Sequence, residues 1–190
     1  MSYSKFSTNI AKYISNEINL DDEKKQIIAY AIDSLLLSIL GFLLIVFFGA
    51  LFGAALPAAI TSLSGGFLRR LSGGAHAETP MKCMLYSSLG YGIVSVAGYY
   101  VSKTIAINNI YLLAVLGFCL LIVARYAPVD CPAKPIHSPV LRKRLKVGSI
   151  CFILGIMFLV IFLDLGSIEI FLTLGVLVQS LTLFPFLNKN

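Results

Sequence analysis

The chain has 190 residues, of which 58% are hydrophobic and 13% charged, with mean hydropathy +0.88 and net charge +6. A soluble domain of this length has too little interior to hide that much apolar surface, so a water-soluble globular fold is excluded. With no soluble basic domain to carry it, nucleic-acid binding is the weaker reading of the positive charge, and anionic lipid or an acidic peptide the stronger, so no nucleic-acid partner is expected.

Met1 to Leu20 is polar and amphipathic, not a charged region followed by an apolar core, so no cleaved signal is expected. Phe6, Ile10, Tyr13, Ile14 and Ile18 fall on one helical face. Such a helix lies in the membrane interface or packs on the ends of spanning helices. Residues 1–30 are read as a cytoplasmic or interfacial segment.

Charge-free windows follow at Ser34 to Leu68, Cys83 to Ser102, Thr104 to Ala124, Val147 to Leu163 and Ile170 to Asn188. Since about 20 apolar residues cross a bilayer as helix, the last four windows each fit one crossing. The first is too long for one. It is either a hairpin turning around Gly49 to Gly53 or one span plus a re-entrant segment. Lys and Arg near span ends stay cytoplasmic, and a hairpin with the N-terminus inside puts fourteen of the fifteen basic residues on the inner side, leaving Lys103 outside. The expectation is an all-α, polytopic membrane protein of about six transmembrane helices, a single domain over 1–190 with both termini cytoplasmic.

Ala54, Ala58, Ser62 and Gly66 recur every four residues, a small-residue stripe that lets another helix approach closely or lines a substrate cavity. Asp33, at the start of the first span, is expected to be solvated at the interface.

Next comes a predicted catalytic cytoplasmic loop, residues 69–82, ending against Cys83. His76 and Cys83 are seven residues apart. On one continuous helix they would be separated by about 10.5 Å of rise, too far for the imidazole to take the thiol proton. The helix must therefore break between them. Thr79 is a good N-cap and Pro80 suits the first helical position, so a span should begin at Pro80 with Cys83 in its first turn. There the positive helix end and the nearby Lys82, Arg69 and Arg70 favour thiolate. Gly73 and Gly74 allow the segment carrying His76 to fold back, giving the pair that Cys-His acyl transfer needs. No third triad member is evident: Glu78, or Ser72, is near enough in sequence to orient the imidazole, the alternative being a merely solvated side chain. The alternative is a buried small thiol beside an interfacial imidazole bonded to backbone.

The cytoplasmic loop 125–146 is basic, with Arg142, Lys143, Arg144 and Lys146 immediately before the fifth span. These cations set topology and meet anionic lipid or an acidic peptide. Tyr126 and the prolines predict an extended path. Cys131 and His137 form a second pair here, but prolines surround them and no helix start supports the thiol. Cys119 and Cys151 sit mid-span, as small hydrophobes. No metal or cofactor site is expected: four Cys and two His lack paired ligand spacing, and neither a Gly-rich nucleotide loop nor a His-Glu-x-x-His motif occurs. A cytoplasmic location argues against disulfides.

The run Arg69, Arg70, Leu71, Ser72, Gly73, Gly74, Ala75, His76 with Cys83 resembles the hallmark segment of the accessory gene regulator B family of bacterial membrane peptidases. Tyr126 to Val129 with Lys134, Pro135 and Ile136 is similar to its second motif. The resemblance implies a cysteine endopeptidase of the cell membrane, acting in quorum sensing as a homodimer. Cys83 would be nucleophile and His76 its base. It implies as substrate a short precursor peptide with an amphipathic leader and an acidic C-terminal tail, cut near its C-terminus through a thioester and cyclised to a thiolactone or lactone autoinducing peptide. Arg69 and Gly74 fall on family positions associated with activity. Arg69 suits a peptide carboxylate, and Gly74 suits close approach of backbone N–H groups to an oxyanion. The competing class is a small peptide transporter or exporter, or a noncatalytic scaffold. Ion-coupled transport needs ionisable groups inside the spans, and these are scarce: Asp164 and Glu169 flank the outer turn.

Overall fold

A computed structural model describes residues 9, 10, 12, 13, 21–75, 79–130, 136, 138–163 and 165–188. Their regular structure is helical throughout, apart from one isolated bridge. Of the N-terminal apolar face only Ile10 and Tyr13 fall among these residues, so the interfacial helix lies largely outside them.

Helix α1 (Asp22–Leu51) starts where the Asp21 carboxylate accepts the Lys24 amide at 2.9 Å. It runs without interruption, so residues 22–30 are its opening turns. The long first window is two helices joined by a turn. The chain reverses at Gly49 to Ala54, where the Ala54 amide donates to the Gly49 carbonyl at 2.8 Å and Gly53 has φ +68°. A Cβ on Gly49 would stand 2.5 Å from that of Ala58, so the turn closes only around glycine.

Helix α2 (Ala55–Ser72) and helix α6 (Ile168–Leu181) form the central pair. Around them stand α3 (Pro80–Thr104), α4 (Asn109–Tyr126) and α5 (Pro139–Phe162), and a 3₁₀ turn at Pro185–Leu187 closes the described chain. Helices α2 and α6 meet because a Cβ on Gly175 would lie 2.3 Å from the Thr61 carbonyl oxygen and 2.9 Å from the Gly65 nitrogen. The Ser64 hydroxyl spans the same contact to the Leu172 carbonyl at 2.8 Å.

The close-packing glycine on α2 is Gly65, where a Cβ would meet the Tyr91 ring; Gly66, the expected member of the stripe, has open space. The reason is helical phase: four residues advance by about 400°, so a strict four-residue stripe drifts by about 40° per step and carries Gly66 off the face that Ala54 begins. Thr61, Gly65, Leu68 and Ser72 stay on that face and are buried.

An apolar outer surface covers a core that mixes apolar and polar side chains. Large apolar residues such as Leu35, Ile39, Leu43, Phe47, Leu121 and Phe162 are exposed, while Thr61, Ser64, Ser95, Ser149, Thr173, Gln179 and Ser180 are buried. In water such a surface would aggregate; in lipid it is the solvated one. Among the described residues three helices, over Lys24–Leu51, Asn109–Tyr126 and Pro139–Phe162, are long and apolar enough to cross a membrane. Helix α2 carries the polar face just described, and α6, with 14 residues, spans about 21 Å, short of the roughly 30 Å hydrocarbon core. The last charge-free window is therefore helical only to Leu181; beyond it the chain turns back over the end of α2.

Candidate functional site

The site forms where α2 ends, α3 begins and α6 ends. The start of α3 is as local chemistry dictates: Thr79 is the N-cap, its hydroxyl accepts the Lys82 amide at 3.3 Å, and Pro80 takes the first turn. The Cys83 amide closes that turn on the Thr79 carbonyl at 3.0 Å, so the half-buried thiol sits at the positive end of the helix.

Helix α2 continues through Arg69 and Arg70 to Ser72 and ends at Gly73, with φ +65°. The non-helical part of the predicted catalytic loop is thus shorter than 69–82, and both arginines occupy the last turn of α2. From there Arg69 reaches across: one Nη2 donates to the Ala75 carbonyl at 2.6 Å and to Cys83 Sγ at 3.4 Å. A guanidinium at hydrogen-bonding distance favours negative charge on sulfur. In this position Arg69 ties the loop to the thiol. Arg70 and Lys82 are exposed.

Residues 73–75 are held from both sides. On one side the Val129 amide donates to the Ser72 carbonyl at 2.9 Å, and Gly73 pairs with Val129 in a parallel bridge. The two sequence motifs, far apart in the chain, are neighbours here. The Ala127–Pro128 peptide in the second is cis. A Cβ on Gly73 would lie 2.2 Å from the Val129 carbonyl oxygen, so the bridge requires glycine on both steric and torsional grounds. On the other side is the end of α6. Gln179 Nε2 donates to the Gly73 carbonyl at 2.7 Å and to Ser72 Oγ at 3.2 Å, and the Ala75 amide donates to the Thr182 carbonyl at 3.1 Å. Gly74 is buried against these residues; a Cβ there would stand 2.5 Å from Thr182 Oγ1 and 2.9 Å from Gln179 Nε2. Close packing on α6 therefore accounts for glycine at 74.

His76 and Glu78 lie outside the described residues, as do Cys131 and His137. The basic cluster is not in the extended loop: α5 starts at Pro139, capped by Ser138, so Arg142, Lys143, Arg144 and Lys146 occupy its first two turns. Arg142 pairs with Asp130, next to Val129, which links this helix start to the site loop. Lys143 and Arg144 are exposed and Lys146 is half-buried. Among the described residues no group of His, Cys, Asp and Glu could hold a metal ion. Cys119 is buried between helices and Cys151 faces outward from α5, both remote in sequence from the helix ends that build the site.

Gln179, Thr182 and Asp130 were not singled out by the sequence reading. A signal existed for the first: a glutamine inside an apolar helix needs a partner.

The sequence profile of accessory gene regulator B matches residues 7–183. The chain belongs to the accessory gene regulator B family. Two AgrB-like proteins of Clostridium perfringens are similar to it, one from strain SM101 at 31% identity and one from strain 13 at 34%, each match covering 87% of this chain and 77% of the relative. An AgrB-like protein of Listeria monocytogenes serovar 1/2a is 28% identical over 93% of the chain and 85% of its own length. No solved structure matches the chain. Membership in the AgrB family supports involvement in accessory-gene-regulator peptide processing.

Proposed function

We propose that the chain is a membrane cysteine endopeptidase that cuts a small precursor peptide and promotes its cyclisation to a quorum-sensing thiolactone or lactone. The observation carrying this reading is the Arg69 guanidinium 3.4 Å from Cys83 Sγ in the first turn of α3, a setting suited to a nucleophilic thiolate.

In the proposed reaction His76 takes the Cys83 proton and the thiolate attacks the scissile carbonyl. The C–N bond breaks, the C-terminal tail leaves as an amine with the proton returned by His76, and the leader and core remain as a thioester on Cys83. A Cys or Ser side chain within the core, giving its proton to His76, then attacks the thioester carbonyl. The ring closes, and the Cys83 thiolate is released as leaving group. Glu78 orients His76, and Lys143, Arg144 and Lys146, with Arg70 and Lys82, draw in the acidic tail. The proposed topology has about six crossings, the 14-residue α6 being the shortest, with both termini and the 73–79 loop on the cytoplasmic side, and the working unit is a homodimer.

The rival reading is a peptide exporter. Among the described residues Glu169 is the charged side chain buried among the helices, and it accepts the Leu165 amide at 2.9 Å as a local cap. A coupling-ion relay has little to run on. The deciding test is precursor cleavage by purified chain in nanodiscs: Cys83→Ala and His76→Ala should each abolish it, whereas an exporter would yield no cleaved product at all.

A further inference from the structure

We infer that Gln179 is a positioning residue of the peptidase, its side-chain amide fixing residues 73–75, the stretch that directly precedes His76 in the chain. The inference rests on the reading of Cys83 and His76 as the reacting pair. Gln179 lies in the last turns of α6, fully buried, and its contacts are to a loop over a hundred residues away in sequence. The amide orientation is fixed by chemistry: the Gly73 carbonyl only accepts, so nitrogen faces it, donating at 2.7 Å, with the second acceptor, Ser72 Oγ, at 3.2 Å.

Three residues beyond Gly73 comes His76. The intervening Gly74 has no side chain with which to hold its course and has φ +142°, a conformation that only its surroundings maintain. Those surroundings are Gln179 Nε2 and Thr182 Oγ1 under Gly74, the Thr182 carbonyl accepting from the Ala75 amide, and the Thr182 hydroxyl turned back to the Gln179 carbonyl at 2.7 Å. Arg69 holds the far end of the strand through the Ala75 carbonyl. Gln179 and Arg69 thus grip a three-residue strand at its two ends, and Arg69 joins that strand to Cys83 Sγ.

A purely structural role explains Gln179 poorly. Its Oε1 is buried with no hydrogen-bond partner among the described residues. An apolar side chain of the same shape would avoid that desolvation cost, so the amide donors serve the loop at the expense of the helix bundle.

The test uses the full chain in nanodiscs with Gln179→Met, which preserves volume and removes the donors, and Gln179→Glu, which sets an acceptor against the Gly73 carbonyl. Both are read by precursor turnover, thermal midpoint, and the pH profile of Cys83 alkylation by iodoacetamide beside His76→Ala. A positioning role predicts a fall in kcat of about tenfold to a hundredfold with KM within about twofold, as removal of an interaction that aligns the reacting groups requires. It also predicts an alkylation profile moved toward that of His76→Ala, and Ser72→Ala, which leaves the Gly73 bond intact, should lose less. Wild-type kcat and alkylation in both variants would overturn the inference, and so would failure of both to yield folded protein, because the role would then be structural. Cleavage that survives Cys83→Ala would instead overturn the underlying peptidase reading, whatever Gln179 does.

Discussion

Arg69 Nη2 lies 3.4 Å from Cys83 Sγ and 2.6 Å from the Ala75 carbonyl oxygen, so one guanidinium joins the thiol to the strand that leads to His76. A lysine at 69 would keep the charge but, as a single ammonium on a flexible stem, would not hold both acceptors in the same fixed geometry. Arg69→Lys should therefore lose about tenfold in Cys83 alkylation and turnover, and Arg69→Gln up to about a hundredfold, the range set by hydrogen bonds to charged groups. Equal rates for all three side chains in iodoacetamide labelling would show that the contact has no chemical role.

The glycine contacts predict a graded stability series. Gly175→Ala drives a Cβ into α2 backbone, and Gly73→Ala meets the Val129 carbonyl at a positive φ; each should cost about 1–3 kcal/mol and lower the thermal midpoint in detergent. Gly66→Ala faces open space and should be neutral. A destabilised Gly66→Ala beside a neutral Gly175→Ala would reverse the assignment of the α2–α6 interface.

How much of this was legible in the sequence depends on the range of the interactions involved. The start of α3 at Pro80 and the turn at Gly49 to Gly53 follow from residues within one helical turn of each other, so Thr79-Pro80 and the glycine pair announce them. The pairing of Gly73 with Val129, and of Gln179 with Gly73, joins segments remote in the chain that the packing of α2 and α4 on α6 brings together. Nothing local in Val129 or Thr182 announces a partner. The small-residue stripe was legible as a tendency but not in phase, which is why Gly65 and not Gly66 makes the contact. The basic cluster was visible as charge, whereas its place on α5 depended on Ser138 capping a helix that starts at Pro139.

The ion pair between Arg142 and Asp130 divides the labour within that cluster. Both partners are partly exposed, at 49% and 41%, so their coupling should be at most about 1 kcal/mol and decrease with salt. In the proposed reading, tail capture would then fall mainly to Lys143, Arg144 and Lys146. Neutralising Lys143 and Arg144 together should raise KM for a tailed precursor, and shortening the acidic tail should remove most of that penalty. Additive losses in this double-mutant comparison would leave the cluster a topological role.

Topology has its own check in the charge asymmetry of fourteen basic residues to one. In cells, an impermeant maleimide applied from outside should label a single cysteine introduced at position 103, but not one at 70 or 143. Labelling at 70 would contradict both six crossings and a cytoplasmic site.

The central claim is that Cys83 forms an acyl-enzyme, and it is tested most directly by mass spectrometry of a single-turnover reaction between the nanodisc-bound chain and a precursor with an acidic tail. The account predicts a covalent adduct with the mass of leader plus core, mapping to Cys83, removed by hydroxylamine, absent in Cys83→Ala and retained in Cys131→Ala. An adduct that maps to Cys131, or cleaved product from Cys83→Ala, would contradict it.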